Sequence, residues 1–335
     1  MGRVTAVHNL LLRPLIMPIM SASVLVAGSA GTALADEQTD SFVSIGSGEM
    51  TAVYYPVAKD ICQAAFHELR AQGIWCSAEK TPGSAYNVGH VVSGELDLAI
   101  MQSDILFSAY KGTDRWRGQP VTQLRSVLSL YPELVTVVAR ADAHAHFLAD
   151  LAGKRISVGS LATGPRATWN RISEDLSLAA PARFTELRQY ETTSALCNGT
   201  IDANFFVVGQ PSQLVAKWLS SCPSNLVAVE EPEVDRIVSK YPFYTRGFIP
   251  AELYHVPDQV LSFGPVATLV TSASANPRVV AAIAKAIVTH VAELRTMNPV
   301  LAGLDAKRMV EQTLTAPAPL HPAAKAAYEE LGLLK

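Results

Sequence analysis

Hydrophobic and polar positions fall in short blocks along this chain, and the spacing within the blocks switches in a repeating order. Phe42, Val43 and Ile45 form an apolar strand pattern that runs through Gly46-Ser47-Gly48 toward Tyr54, Val57, Ile61, Ala65 and Leu69. The three- or four-residue spacing of the second group predicts a helix over residues 50–72, which Gly73 stops. Residues 74–79 then read as a strand, 84–93 as a short helix, 96–101 as a buried strand and 103–110 as another helix. This rhythm predicts an α/β, doubly wound lobe, in which ligands collect beyond the carboxyl ends of the strands.

A long extended passage over 124–140 is interrupted by Tyr131-Pro132-Glu133, and a second one runs over 260–271. A strand that breaks at proline and continues suits a crossover between lobes. Between the crossovers lies a second β/α lobe, with strands near 155–159, 184–187, 204–208 and 226–229, and helices follow over 277–296 and 322–331. Two crossings predict a discontinuous first lobe, residues 36–130 and 267–335, around a second lobe of residues 131–266.

The strand-to-helix turns share one chemistry. Gly46-Ser47-Gly48, Thr81-Pro82-Gly83-Ser84, Gln102-Ser103-Asp104, Ala162-Thr163-Gly164 and Gly209-Gln210-Pro211 are small and hydroxylic, each after an apolar strand and before a helical pattern. Glycine lets the backbone approach a ligand closely, and the helix behind it points free N–H groups at the same place. The pattern predicts five turns converging on one crevice that holds an anion without chemistry.

Residues 1–35 are set apart as an export signal. Arg3 and Arg13 precede an apolar core over 15–27, and Ala33-Leu34-Ala35 supplies a small-residue cleavage site before Asp36. That core, roughly 13 residues, is short of the ~20 that span a bilayer. Removing it takes away two arginines and no acids, so the net charge moves from −3 to about −5. With no basic run, nucleic acid is not an expected partner. Cys62, Cys76, Cys197 and Cys222 admit three pairings, and in an oxidising compartment the two short loops favour Cys62 with Cys76 and Cys197 with Cys222. Their spacings lack the C-x-x-C of zinc or thiol redox sites.

Several segments, taken in order, carry a family resemblance: Ile45-Gly46-Ser47-Gly48, Tyr54-Tyr55-Pro56, Thr81 to Asn87, Ser93-Gly94-Glu95-Leu96-Asp97, Gln102-Ser103-Asp104, Leu130-Tyr131-Pro132-Glu133, Leu151 to Arg155, Lys240 to Tyr244 and Pro319-Leu320-His321-Pro322. In this order they resemble the TAXI group of receptors for tripartite ATP-independent periplasmic (TRAP) transporters. The resemblance implies a two-lobe type II periplasmic binding fold that closes on a small carboxylate and hands it to membrane permease subunits. Family ligands include glutamate, glutamine and C4 or C5 dicarboxylates such as 2-oxoglutarate. The chain departs from the family at Glu49-Met50 and at Leu161 to Pro165, both in turns expected to face the ligand.

The candidate ligand-binding residues are Gly46, Ser47, Gly48, Thr51, Tyr54, Thr81, Gly83, Ser84, Asn87, Gln102, Ser103, Tyr131, Thr163, Gly164, Arg166 and Gly209. Arg166 follows Gly164-Pro165 at a helix start, where a guanidinium can meet a carboxylate bidentately. Ser47, Thr51, Thr81, Ser84 and Asn87 have an alternative role as helix caps. Tyr54 either stacks on the ligand's carbon chain or begins a core face, and Asp104 reads as a helix cap. Glu133, at the proposed hinge, either selects an ammonium group or forms a hinge salt bridge.

His144 and His146, with Asp142 and Asp150 nearby, form an H-x-H pair in a loop without supporting partners, and no metal or other cofactor is expected. No G-x-S-x-G, H-E-x-x-H, P-loop or full G-x-G-x-x-G occurs, so no catalytic residue is assigned. The expectation is a periplasmic receptor that does not itself span the membrane. The alternatives are a ligand sensor for a membrane kinase and an enzyme on the same two-lobe fold.

Overall fold

The computed structural model describes residues 41–176 and 183–335. The export signal expected over residues 1–35 lies outside them. The chain begins as its pattern predicts, with β1 (Ser41–Gly46), α1 (Tyr54–Ala64), α2 (Phe66–Ala71), β2 (Ile74–Glu79), α3 (Ser84–Ser93), β3 (Leu98–Gln102) and α4 (Ser103–Lys111). The single helix expected over 50–72 starts later and breaks at Ala65. Pro56, which cannot donate a hydrogen bond, sits in the first turn of α1, where no donor is needed. Within β1, Val43 and Ile45 are buried while Phe42 is exposed.

The extended passage at 124–140 divides into β4 (Leu124–Pro132) and β5 (Leu134–Arg140). Then come β6 (Arg155–Ser157), α5 (Gly164–Asp175), β7 (Arg183–Thr185), α6 (Gln189–Cys197), β8 (Ala203–Val208), α7 (Gln213–Ser221), β9 (Ser224–Val227) and α8 (Glu231–Lys240). The run at 260–271 is two strands. β10 (Thr245–Ile249) pairs antiparallel with β11 (Val260–Gly264), and Pro265, without an N–H, separates β11 from β12 (Val266–Ser272). The helix expected over 277–296 is likewise two, α9 (Pro277–Thr289) and α10 (Val291–Met297), meeting at His290. The chain closes with α11 (Ala306–Leu314) and α12 (Pro322–Glu330).

Two five-stranded sheets organise these elements, in the orders β2-β1-β3-β12-β4 and β7-β6-β8-β5-β9. In the first, β1 pairs parallel with β2 and β3, and β12 is antiparallel to both β3 and β4. The second repeats the plan: β6 pairs parallel with β7 and β8, and β5 is antiparallel to β8 and β9. Each sheet with its helices is one lobe of a two-lobe α/β fold. The antiparallel strand inside each sheet is the one that enters it at a crossing: β5 continues from β4 of the first sheet, and β12 follows β11 of the two-stranded β10–β11 pair.

The crossovers lie side by side. The Glu133 N–H donates to the Pro265 carbonyl at 2.8 Å. A Cβ on Gly264 would stand 2.0 Å from the Glu133 carbonyl oxygen, so only glycine permits this approach. The carboxyl-terminal helices return to the first sheet. The Ser126 N–H donates to the Pro319 carbonyl, the His321 N–H to the Ser126 carbonyl, and the buried Tyr328 hydroxyl to the Val127 carbonyl at 2.9 Å. Among the described residues no helix is long and apolar enough to cross a membrane.

Both disulfides expected from the short loops are present. Cys62 of α1 joins Cys76 of β2 with Cα atoms 5.3 Å apart, and Cys197 of α6 joins Cys222 after α7 at 5.5 Å. Loops of 14 and 25 residues place each bridge at about 3 kcal/mol of stabilisation. Alkylation of the unreduced protein in denaturant is therefore expected to add no mass. Replacing Cys197 and Cys222 together by serine is expected to lower the unfolding free energy by about 2–4 kcal/mol in denaturant titration.

Candidate functional site

Four of the five strand-to-helix turns meet at one cleft between the lobes. Its walls are Gly48, Glu49, Ala52, Val53 and Tyr54 from the β1–α1 turn and Pro82, Gly83 and Ser84 from the β2–α3 turn. Gln102 at the end of β3 and Glu133 in the crossover line it too. Thr163, Gly164 and Pro165 from the β6–α5 turn, Gln189 of α6 and Phe206, Val207 and Val208 of β8 complete it. The space left among them in this closed arrangement is small, about 40 Å³, and partly open to solvent. Two helix N-termini, those of α3 and α5, thus flank the same space from opposite lobes.

Several hydroxylic residues join the turns to one another. Ser47 donates to the Glu79 carbonyl at 2.6 Å, and the Ser47 carbonyl accepts from the Thr81 hydroxyl at 2.8 Å and from the Asn87 side chain at 2.9 Å. Asn87 also donates to the Ile100 carbonyl, and the Thr81 hydroxyl accepts from the Gly83 N–H. These bonds fix the geometry of two turns whose backbone lines the cleft. A Cβ on Gly46 would stand 2.4 Å from a Leu96 methyl, so this glycine serves packing below the turn. The Ser84 hydroxyl accepts from the Gln102 N–H at 3.1 Å. Ser103 accepts from the Val266 N–H and donates to the Phe243 carbonyl, tying the end of β3 to the second crossover.

The remaining candidates are placed differently. The Thr51 hydroxyl, at the rim, donates across the cleft to Gln189 at 3.4 Å. Thr163 closes its own turn by donating to the Ser160 carbonyl at 2.7 Å. The guanidinium of Arg166 is engaged by Glu186 at 2.8 Å and Asn170 at 3.1 Å. The Gly209-Gln210-Pro211 turn does not reach this cleft. Gly209 packs on the Tyr131 ring and Val300, and Tyr131, Gln210 and Pro211 border a separate cavity beside Pro299, Val300 and α11. Of the H-x-H region, Asp142 pairs with Arg140, and Asp150 accepts the His146 and Phe147 backbone N–H groups.

A network that no sequence pattern signals bolts the lobes together beside the cleft. Asp104, fully buried at the start of α4, accepts from Thr168 at 2.7 Å, Tyr244 at 2.8 Å and Arg171 at 3.0 Å through one carboxylate oxygen. The other oxygen accepts from the Ile105 N–H and from Gln102; the N-cap position itself falls to Gln102, so Asp104 sits inside the first turn and is not the cap expected of it. Arg171 continues to Asp114 at 2.6 Å, and its guanidinium lies over the Phe243 ring. Burial disfavours the Arg171 charge, but Tyr244, Asp104 and Asp114 outweigh it and hold the guanidinium protonated.

Among the described residues Glu133 is the other buried carboxyl. It is 2% exposed, and the Tyr54 hydroxyl donates to its Oε2 at 2.6 Å. Burial pushes its pKa well above the usual carboxyl value, Tyr54 opposes that rise and the Asp104 charge adds to it. At Asp114 burial also acts upward, yet bonds from Arg171 and Ser108 bring the carboxyl below its usual value.

These shifts give stability a two-sided pH dependence. A raised Glu133 means that the folded state holds a proton the unfolded state has released. Its contribution therefore declines as pH rises from the ordinary carboxyl value of 4.5 toward the folded one. Asp114 acts in the opposite sense, and its contribution is lost as pH falls below 3.8. In thermal melts of ligand-free protein, Glu133→Gln is expected to raise the midpoint at neutral pH and to flatten the decline on the alkaline side. Arg171→Met is expected to cost about 3–5 kcal/mol in denaturant titration, because Asp104 is left buried without its cation.

Comparison with known proteins follows the same outline. The sequence matches the NMT1-like family over residues 45–332. A structure from the study of glutathione import via GshT and the cystine ABC importer TcyBC of Streptococcus mutans aligns with TM-score 0.51 at 10% identity, covering 81% of this chain and 100% of that one. The alkanesulfonate-binding protein SsuA of Xanthomonas axonopodis pv. citri, bound to MOPS, aligns at TM-score 0.47 and 16% identity, covering 89% and 95% of the two chains. An ancestral arginine-binding protein bound to arginine aligns at 0.47 and 14%, covering 78% and 96%. At this identity the 0.51 alignment bears on the fold alone and the two at 0.47 carry no argument, whereas the family match spans nearly every described element, and the chain belongs to the NMT1-like family.

Proposed function

We propose that this chain is an exported periplasmic receptor that binds a small carboxylate between its lobes and presents it to the membrane subunits of a TRAP transporter. The observation that carries the reading is the pair of helix N-termini, α3 at Gly83-Ser84 and α5 at Gly164-Pro165, facing one cleft from opposite lobes. Unpaired N–H groups and the helix dipoles favour an anion between them. The ordered TAXI-like segments support the TRAP assignment, and the absence of a nucleophile with a visible base in the sequence supports binding without turnover. On this reading the lobes divide at residues 36–130 with 267–335 and at 131–266, and the export signal covers 1–35.

Binding is coupled to closure. Gln102 reaches across to Thr168 at 3.0 Å, and a Cβ on Gly164 would stand 1.6 Å from Gln102 Oε1 and 3.2 Å from the Ser84 hydroxyl. The lobes come together because α5 begins with a residue that has no side chain. A ligand that touches both lobes stabilises this arrangement alone, and the permease then recognises the closed surface. Arg166 joins the ligand contacts only by exchanging Glu186 for the incoming carboxylate.

The deciding experiment is native mass spectrometry of purified protein, followed by identification of the released compound. A small carboxylate is expected, and a bound compound without an acid group would overturn the reading. Gly164→Ala tests the closure. Gln102 is held by Thr168 and Asp104, so overpacking of about 1–3 kcal/mol is expected to weaken ligand affinity by roughly 10- to 100-fold. Calorimetry with the released compound checks this, and unchanged affinity would separate binding from the close approach of Gly164.

A further inference from the structure

The floor of the cleft carries a carboxyl that the fold does not neutralise. Glu133 is 2% exposed and lines the cleft, and among the described residues no lysine, arginine or histidine forms an ion pair with it. The two guanidinium groups of α5 are engaged elsewhere, Arg166 with Glu186 and Arg171 with Asp104 and Asp114. The one side-chain partner it shows is the Tyr54 hydroxyl. A second orphaned group lies beside it, on a residue whose ring borders the separate cavity next to α11. The Tyr131 hydroxyl, two residues before Glu133 and close enough to feel its charge, is buried without a hydrogen-bond partner among the described residues. Buried polar groups are left unsatisfied in this way mainly where something else completes them.

We propose that Glu133 receives the ammonium group of the ligand, so that the cleft selects amine-bearing carboxylates such as α-amino acids over their deamino counterparts. This rests on the receptor reading and names the substrate class of that site. The helix N-termini of α3 and α5 supply the anion end and Glu133 the cation end, a separation of charge that matches a zwitterion and not a dicarboxylate. The groups facing Glu133 are the phenols of Tyr54 from α1 and Tyr131 from β4, with the Asp104 carboxylate acting from α4. None of these is a cation, so in the empty cleft burial favours the protonated carboxyl. An arriving ammonium ion makes the carboxylate the stable form. The proton leaves Glu133 for solvent, and the ammonium keeps all of its own.

The test is titration calorimetry of the full mature chain with L-glutamate and L-glutamine against glutarate and 2-oxoglutarate, at neutral pH in two buffers of different ionisation enthalpy. The amine-bearing compounds are expected to bind at least about 100-fold more tightly, a difference of about 2.7 kcal/mol, with release of close to one proton. Glu133→Gln is expected to remove both the preference and the proton release, so that the amine-bearing and deamino compounds bind with similar affinities. Equal affinity of wild-type protein for glutamate and glutarate overturns the inference and leaves the carboxylate receptor standing. Retention of the amine preference in Glu133→Gln overturns Glu133 as its source. Binding of none of the four overturns the carboxylate reading and the inference together. The wild-type comparison and the proton count decide the matter even where the variant does not fold.

Discussion

Everything about the arrangement of this protein depends on two strand crossings laid along the same line, β4 into β5 and β11 into β12. Glu133 and Pro265 sit at the two crossings, joined by a backbone hydrogen bond of 2.8 Å, and Gly264 lies against the Glu133 carbonyl at a distance that no side chain permits. Each crossing strand enters its new sheet antiparallel to its neighbours, which is why the two five-stranded sheets share one order. A hinge built this way is narrow, and a few backbone dihedrals can absorb a rotation of the lobes. It also places the Glu133 side chain at the bottom of the space the lobes enclose.

The lobes are held beyond the hinge by a second device, the Asp104 node. One fully buried carboxylate accepts from Thr168, Tyr244 and Arg171, which all belong to elements on the far side of the cleft. Such a cluster is a poor source of net stability, because desolvating the charges offsets much of their attraction. It is a strong source of geometric definition, since few relative positions of α4 and α5 satisfy every partner at once. Gln102 belongs both to this node and to the cleft wall, so the position of the lobes and the shape of the site are mechanically linked.

The electrostatic character of the cleft is divided. Two helix N-termini make one end hospitable to negative charge, while the buried carboxyl at the hinge makes the other end hospitable to positive charge. The arginine nearest the anion end, Arg166, is held by Glu186 on its own lobe. The field in the cleft therefore comes from backbone dipoles and one carboxyl more than from formal positive charges.

The sequence by itself determined the local order of the fold. Strand periodicity at Val43 and Ile45, the helical spacing from Tyr54 to Leu69 and the turn residues at Gly83-Ser84 and Gly164-Pro165 are set by short-range sterics and hydrogen bonding, which a single chain displays openly. The disulfide pairing was legible for the same reason, since both loops close over neighbouring elements. The breaks at Ala65 and His290 were not, because an apolar period continues through each. Only the tertiary structure decided which turns share the cleft. Gly209 carries the same signature as Gly164, yet Tyr131 and Val300 wall it off. Arg171, Thr168 and Gln189 had no sequence signal, because their partners lie on the other lobe. What a side chain can reach across a cleft depends on how two lobes are set against each other, and no local pattern encodes that distance.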